Sequence, residues 1–237
     1  MTVNYPGVAA ALSHERLGPY LRHANNDPLQ ALMLYHRNLA LSESLYPALQ
    51  LVEVALRNRF EMYLLNTYGK AWYAATAFHA LLEPRDLKTI LNTQRDLTAS
   101  NATLLRKNPA ATPRPITSGR MIAELNFGFW TGLLGNHYSG RFWGRAAATL
   151  FPNEPIISAG KTLNDLQKAV NPMLRDVRHL RNRVFHHEPI LHDGRLWDNH
   201  AATWRLLEWM SPEALDWARR VGLDRFPATY QLFHGPR

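Results

Sequence analysis

Cysteine is absent from this chain of 237 residues. Its absence excludes disulfides, thiolate nucleophiles and cysteine-ligated zinc. Also missing is any run approaching about 18 consecutive apolar residues, the length at which a membrane-spanning helix becomes the natural reading. The amino-terminal MTVNYPGVAAAL has neither a basic region nor an apolar stretch long enough for a signal peptide. A cytoplasmic protein with no membrane partner is therefore expected. Runs of alternating, β-branched residues are lacking too, which removes the ordinary signature of a sheet and predicts an all-α chain. Lysine is scarce, confined to Lys70, Lys88, Lys107, Lys161 and Lys168.

What is abundant is arginine. Lys plus Arg number 27 against 19 Asp plus Glu, a net charge of +8, which favours a polyanionic partner such as RNA. Planar guanidinium forks grip phosphate better than ammonium groups do, so the choice of arginine points the same way. A basic surface with no nucleic-acid partner has the same composition, and charge alone does not separate the two. The length suits a single domain over 1–237 with additions around its core.

Periodicity places helices over about 13–23 and 27–43, then over 44–67, with Pro47 in the first turn of the last and Gly69 ending it. A helix near 83–98 is followed by a surface loop at 100–119, where NATLLRKNPAATPRPITSG is rich in Pro, Thr, Asn and Ala. Ser118 is read as the N-cap of a helix running to Leu133, with another over 141–150. A long helix spans about 161–187, two more flank Ser211-Pro212, and the tail after 222 is read as irregular. The aromatics Phe127, Phe129, Trp130 and Trp143 are better assigned to a core than to base stacking, as are Trp197, Trp204, Trp209 and Trp217. Gly128 and Gly132 suggest close helix packing.

The long helix carries LRNRVFHHEP at Leu180 to Pro189, whose first four letters repeat LRNR at Leu56 to Arg59. At 100° per residue, Val170, Met173, Leu174, Val177, Leu180, Val184 and Phe185 form an apolar stripe. Arg175, Arg178, Asn182 and His186 lie together on the opposite face, most simply a solvated one. Pro189 disfavours helical geometry at Glu188 and so ends the helix near His187. The histidines then sit at the negative end of the helix dipole, which favours imidazolium, while Arg181 and Arg183 oppose it. A histidine so balanced suits acid or base work near neutrality, with guanidinium groups to hold a phosphate. In the first copy no histidine follows, and Glu53 lies four residues before Arg57, the spacing of an intrahelical ion pair. Glu53 and Asn58 are candidates to reach a site built elsewhere.

At these residues the chain resembles the Abi-like (abortive infection) family of the HEPN superfamily. The resemblance takes in LSHERLGPYL near the start, ALMLYHRN, EVALRNR, AELNFGFWTGLL from Ala123 to Leu134, LFP at Leu150 and RNRVFHHEP. It implies a HEPN-like helical bundle with additional helices, dimerising so that two Arg-x4-His motifs face one cleft. It further implies a metal-independent endoribonuclease of toxin or phage-defence type. In that reaction the ribose 2′-OH attacks the adjacent phosphorus, leaving 2′,3′-cyclic phosphate and 5′-OH ends.

Carried onto this chain, the catalytic residues are Arg181, Asn182 and His186, with His187, Arg183, Glu53 and Asn58 supporting and Arg175 and Arg178 binding RNA. No cofactor or metal is implied. The implied partners are RNA, a second copy of the chain and an RNA or protein antitoxin. Glu188 stands where one branch of the superfamily has a modified tyrosine, so that control is not expected here. Arg181 projects about 140° from His186 on a helical wheel, so the two converge only across a dimer seam or through local unwinding. His187, at Arg-x5-His spacing and four residues from Arg183, is the rival histidine. A non-catalytic RNA-binding HEPN module is the alternative function. A metal site at His179, His186, His187, Glu188 and His192 is the other alternative, but adjacent histidines point to different sides of a helix and no His-Glu-x-x-His or comparable spacing exists.

Overall fold

A computed structural model of the chain describes residues 4–160 and 162–235, and among these it is built of helices, with no strand. The helices are α1 (Tyr5–Leu12), α2 (His14–His23), α3 (Pro28–Tyr68), α4 (Thr76–His79), α5 (Pro84–Lys107), α6 (Ser118–Glu124) and α7 (Phe127–Gly132). They continue as α8 (Gly144–Leu150), α9 (Pro155–Ser158), α10 (Leu163–Phe185), α11 (Leu196–Met210), α12 (Pro212–Arg220) and α13 (Phe226–His234). The spine is α3, 41 residues long and so about 60 Å from end to end. Against it pack α2, α6, α7, α8, α10, α11 and α13.

The start of α3 is fixed by Asp27, whose carboxylate accepts hydrogen bonds from Leu29 N at 2.9 Å and Gln30 N at 3.2 Å, followed by Pro28 in the first turn. Gly69, at φ 79°, ends it. Between these ends, the expected break near Ser44 does not occur: Pro47 sits inside one continuous helix. An interior proline costs about 3 kcal/mol. Leu41, Leu45, Leu49, Val52, Leu56 and Phe60 are fully buried along one side of the same helix, and each is worth about 1.5–3 kcal/mol. The shared core therefore outweighs the local break. By length and a mean hydropathy of 1.2 in its most apolar window, α3 reaches the threshold of a membrane span, with 44% of that window buried inside the bundle.

Other boundaries also move. The loop expected at 100–119 is confined to 108–117, because α5 continues through Lys107. Leu104, Leu105, Arg106 and Lys107 are strong helix formers, and Asn101 ties the returning loop to α5 through two bonds with the Arg114 backbone, at 2.7 and 3.1 Å. The cap before α6 is Thr117 rather than Ser118. The helix expected through Leu133 divides at Leu125–Asn126, where the Asn126 side chain accepts from Phe129 N at 2.9 Å and caps α7. The tail after 222 is not irregular, since α13 packs on α3 with Phe226 buried and Tyr230 and Phe233 against the core. Lys161, where α10 was expected to begin, lies outside the described residues; Thr162 and Asp165 form a reciprocal capping box there.

Phe127, Phe129, Trp130 and Trp143 are buried as expected, while Trp217 is half exposed. The glycine expectation does not hold at Gly132, where an added Cβ would meet nothing within 4 Å.

Candidate functional site

The helix carrying the histidines ends earlier than Pro189 alone would require. Its last residue is Phe185, and His186 is the C-cap. His187 N–H bonds Val184 O at 3.2 Å and Glu188 N–H bonds Arg183 O at 2.8 Å, the paired closing bonds of a Schellman motif. That motif places His187 in the left-handed region, φ 59°, where glycine is usual and a side chain costs about 1 kcal/mol or more.

The turn is then fastened from two distant helices. On α2, the Arg16 guanidinium donates to the carbonyls of His186, at 3.2 Å, and His187. On α3, the buried Asn38 accepts from Ile190 N–H at 2.6 Å and Leu191 N–H at 3.1 Å, and donates to Glu188 O at 3.4 Å. Sequence reading did not single out Arg16 or Asn38. The segments holding them were read as helices and noted for their resemblance, but their bonds span more than a hundred residues.

The motif arginine has its own seat. Arg181 Nε meets Glu53 Oε2 at 3.0 Å, and its guanidinium lies 4.3 Å from the centre of the Phe185 ring, within cation–π range. Phe185 in turn stacks on Tyr46 of α3 at 5.2 Å. Glu53 also holds Arg57 through the expected four-residue pair. Two guanidinium groups thus share one carboxylate whose side chain is 10% exposed, which leaves one positive charge in excess. Arg57 Nε is shielded from solvent without a hydrogen-bond partner.

The structure brings Glu53 to Arg181 but does not bring Arg181 to His186. Arg181 is engaged on the α3 side, whereas His186 and Asn182 are exposed, as the helical wheel requires. Asn58 is likewise exposed on α3. Arg183 turns away from His187, binding Asp193 Oδ2 at 2.5 Å and the Pro189 carbonyl, so it braces the turn. Its last partner is Glu188 at 4.0 Å. Of the two histidines, His187 lines a groove of about 660 Å³ together with Tyr46, Phe185 and Arg225. Arg175 and Arg178 line a separate pocket of about 510 Å³ on the outer face of α10. Among the described residues, no group of three or more His, Asp or Glu side chains is placed to hold a metal ion. The first LRNR copy is locally engaged, with Leu56 buried, Arg57 on Glu53, and Arg59 donating to Met210 O.

Compared with family models, curated proteins and solved structures, the chain matches none. The chemistry of the region therefore rests on its own side chains. They comprise a seated guanidinium with surplus positive charge, two histidines on a braced helix end, and a cationic face leading up to it.

Proposed function

We propose that the chain is a metal-independent endoribonuclease that cleaves RNA by 2′-OH attack, giving 2′,3′-cyclic phosphate and 5′-OH ends. His186 acts as general base or acid, Asn182 one turn earlier orients it, and Arg181 neutralises charge on the pentacoordinate phosphorus. Because Arg181 and His186 diverge on one helix, a second copy of the chain completes the site, in a HEPN-like arrangement of Abi-like type. The partners are RNA, the second copy and an RNA or protein antitoxin, and the setting is cytoplasmic.

The observation that carries this reading is the seating of Arg181. Glu53 and Phe185 hold its guanidinium in one place, and the excess charge over Glu53 suits a phosphate. Preorganised charge is what a transition-state site needs, because no reorganisation is left for the reacting moment. His187 is the competing histidine, favoured by its place in the groove beside Phe185 and by its left-handed backbone. A non-catalytic RNA-binding module is favoured by the same ion pair, since Arg181 is already satisfied within its own chain.

The deciding experiment incubates purified wild type, His186→Ala and His187→Ala with total RNA in EDTA and analyses product ends. Cyclic phosphate ends that fall by about 10²–10⁴-fold in His186→Ala support the assignment. Undiminished cleavage by that variant sinks it, and loss only in His187→Ala moves the role by one residue. RNA binding without cleavage establishes the alternative.

A further inference from the structure

The pocket on the outer face of α10 is separate from the residues given catalytic roles. Its floor comes from the turn around Gly132, Gly135 and Asn136, and its wall from successive turns of α10. Gly132 leaves open space where any other residue would project a side chain. Lys168, Arg175 and Arg178 line it, and no Asp or Glu is among the described lining residues. Arg175 touches Asp176 at 3.3 Å, whereas among the described residues neither Lys168 nor Arg178 is engaged in an ion pair. Uncompensated cations around a concave surface call for an anion.

A second observation concerns the carboxamides between them. Gln167 Nε2, a donor, and Asn171 Oδ1, an acceptor four residues further along α10, are each shielded from water with no hydrogen-bond partner. Asn171 is otherwise tied to Asn136, Nδ2 to Oδ1 at 3.3 Å. Unsatisfied buried polar atoms are rare in folded proteins and ask for an explanation. Side-chain amides offering one donor and one acceptor match the edge of a nucleobase, which presents the same pair. Arg178 precedes His186 by two turns of α10, about 12 Å along the axis.

We propose that this pocket is a base-reading subsite for single-stranded RNA. Lys168 and Arg178, with Arg175, hold the phosphate of a nucleotide flanking the scissile bond, and the carboxamides of Gln167 and Asn171 turn to hydrogen-bond its base. This assignment rests on the proposed endoribonuclease reading, and it makes cleavage sequence-selective at a position offset from the histidines.

The test measures binding of 2′-O-methylated hexanucleotides A6, C6 and U6 by fluorescence anisotropy, because these cannot be cut by 2′-OH attack. Wild type should bind one homopolymer about tenfold more tightly than the others. Gln167→Leu and Asn171→Leu should each collapse that preference, with unfolding midpoints matched to wild type. Lys168→Gln, at an exposed position, should weaken all three alike and flatten the salt dependence. Equal binding of the three by wild type overturns the proposal, as does a preference that survives both leucine variants. A free 5′-mononucleotide bound as tightly as the hexamers overturns the strand subsite in favour of a nucleotide site. Failure of cleavage by wild type would remove the endoribonuclease reading while leaving this binding result legible.

Discussion

Replacing Asn38 by alanine should loosen the histidine turn more than any change within the turn itself. Asn38 is 2% exposed, and its one oxygen satisfies two backbone N–H groups, those of Ile190 at 2.6 Å and Leu191 at 3.1 Å. Both residues are buried, so no water replaces the lost acceptor. Each orphaned N–H costs about 1–3 kcal/mol; the long bond to Glu188 O adds little. A loss of about 3 kcal/mol follows, which for a chain of this size lowers the unfolding midpoint by about 6–12 °C. Thermal melts followed by far-ultraviolet circular dichroism read this directly.

Two companions separate the causes. Asn38→Asp keeps an acceptor oxygen for both N–H groups and should retain more than half of the lost stability. Asn38→Leu restores volume without the acceptor and should remain as unstable as alanine. Recovery in the leucine variant would show that packing carries the cost, and a midpoint within about 2 °C of wild type in Asn38→Ala would refute the argument altogether.

Substituting His187→Gly should relieve the left-handed backbone and raise stability by about 0.5–1 kcal/mol; a clear fall in urea titration would mean that the imidazole is held by contacts outweighing the strain. Glu53→Gln should destabilise by about 1–3 kcal/mol, since Arg57 and Arg181 then face each other across a neutral amide, and on the proposed endoribonuclease function it should also reduce cleavage by freeing Arg181; an unchanged melting midpoint would contradict it. Tyr20, Tyr63 and Tyr138 all have their hydroxyls pushed up to about 12, chiefly by burial. A raised folded value means the folded state keeps protons that the unfolded chain releases, so this stability is complete below about pH 10 and is lost as pH rises from there toward 12. Melts across that window should show a steep alkaline decline, shallower in Tyr138→Phe, whose wild-type hydroxyl donates to Asp86 at 2.6 Å.

Sequence alone determined what depends on local period and local chemistry. The helical class followed from the spacing of apolar residues, and the core stripe of α10 is buried at Val170, Leu174, Val177, Leu180 and Val184. The Glu53–Arg57 pair follows from helix geometry, and so does the divergence of Arg181 from His186. The α13 stripe of Phe226, Tyr230 and Phe233 was present in the sequence at helical spacing, masked by the reading of the tail as irregular.

Only the tertiary structure decided the rest. Glu53 meets Arg181 across 128 positions, and Asn38 meets the histidine turn across about 150. Such pairings depend on which face of α3 is turned toward α10, a matter settled by the whole core rather than by either segment. The passage of α3 through Pro47 has the same origin, because burial along one side of the helix exceeds what the proline removes. Local rules fix the helices and their faces. The seat of Arg181 and the bracing of the histidine turn exist because distant faces are brought into contact, and that information is distributed over the entire packed interior.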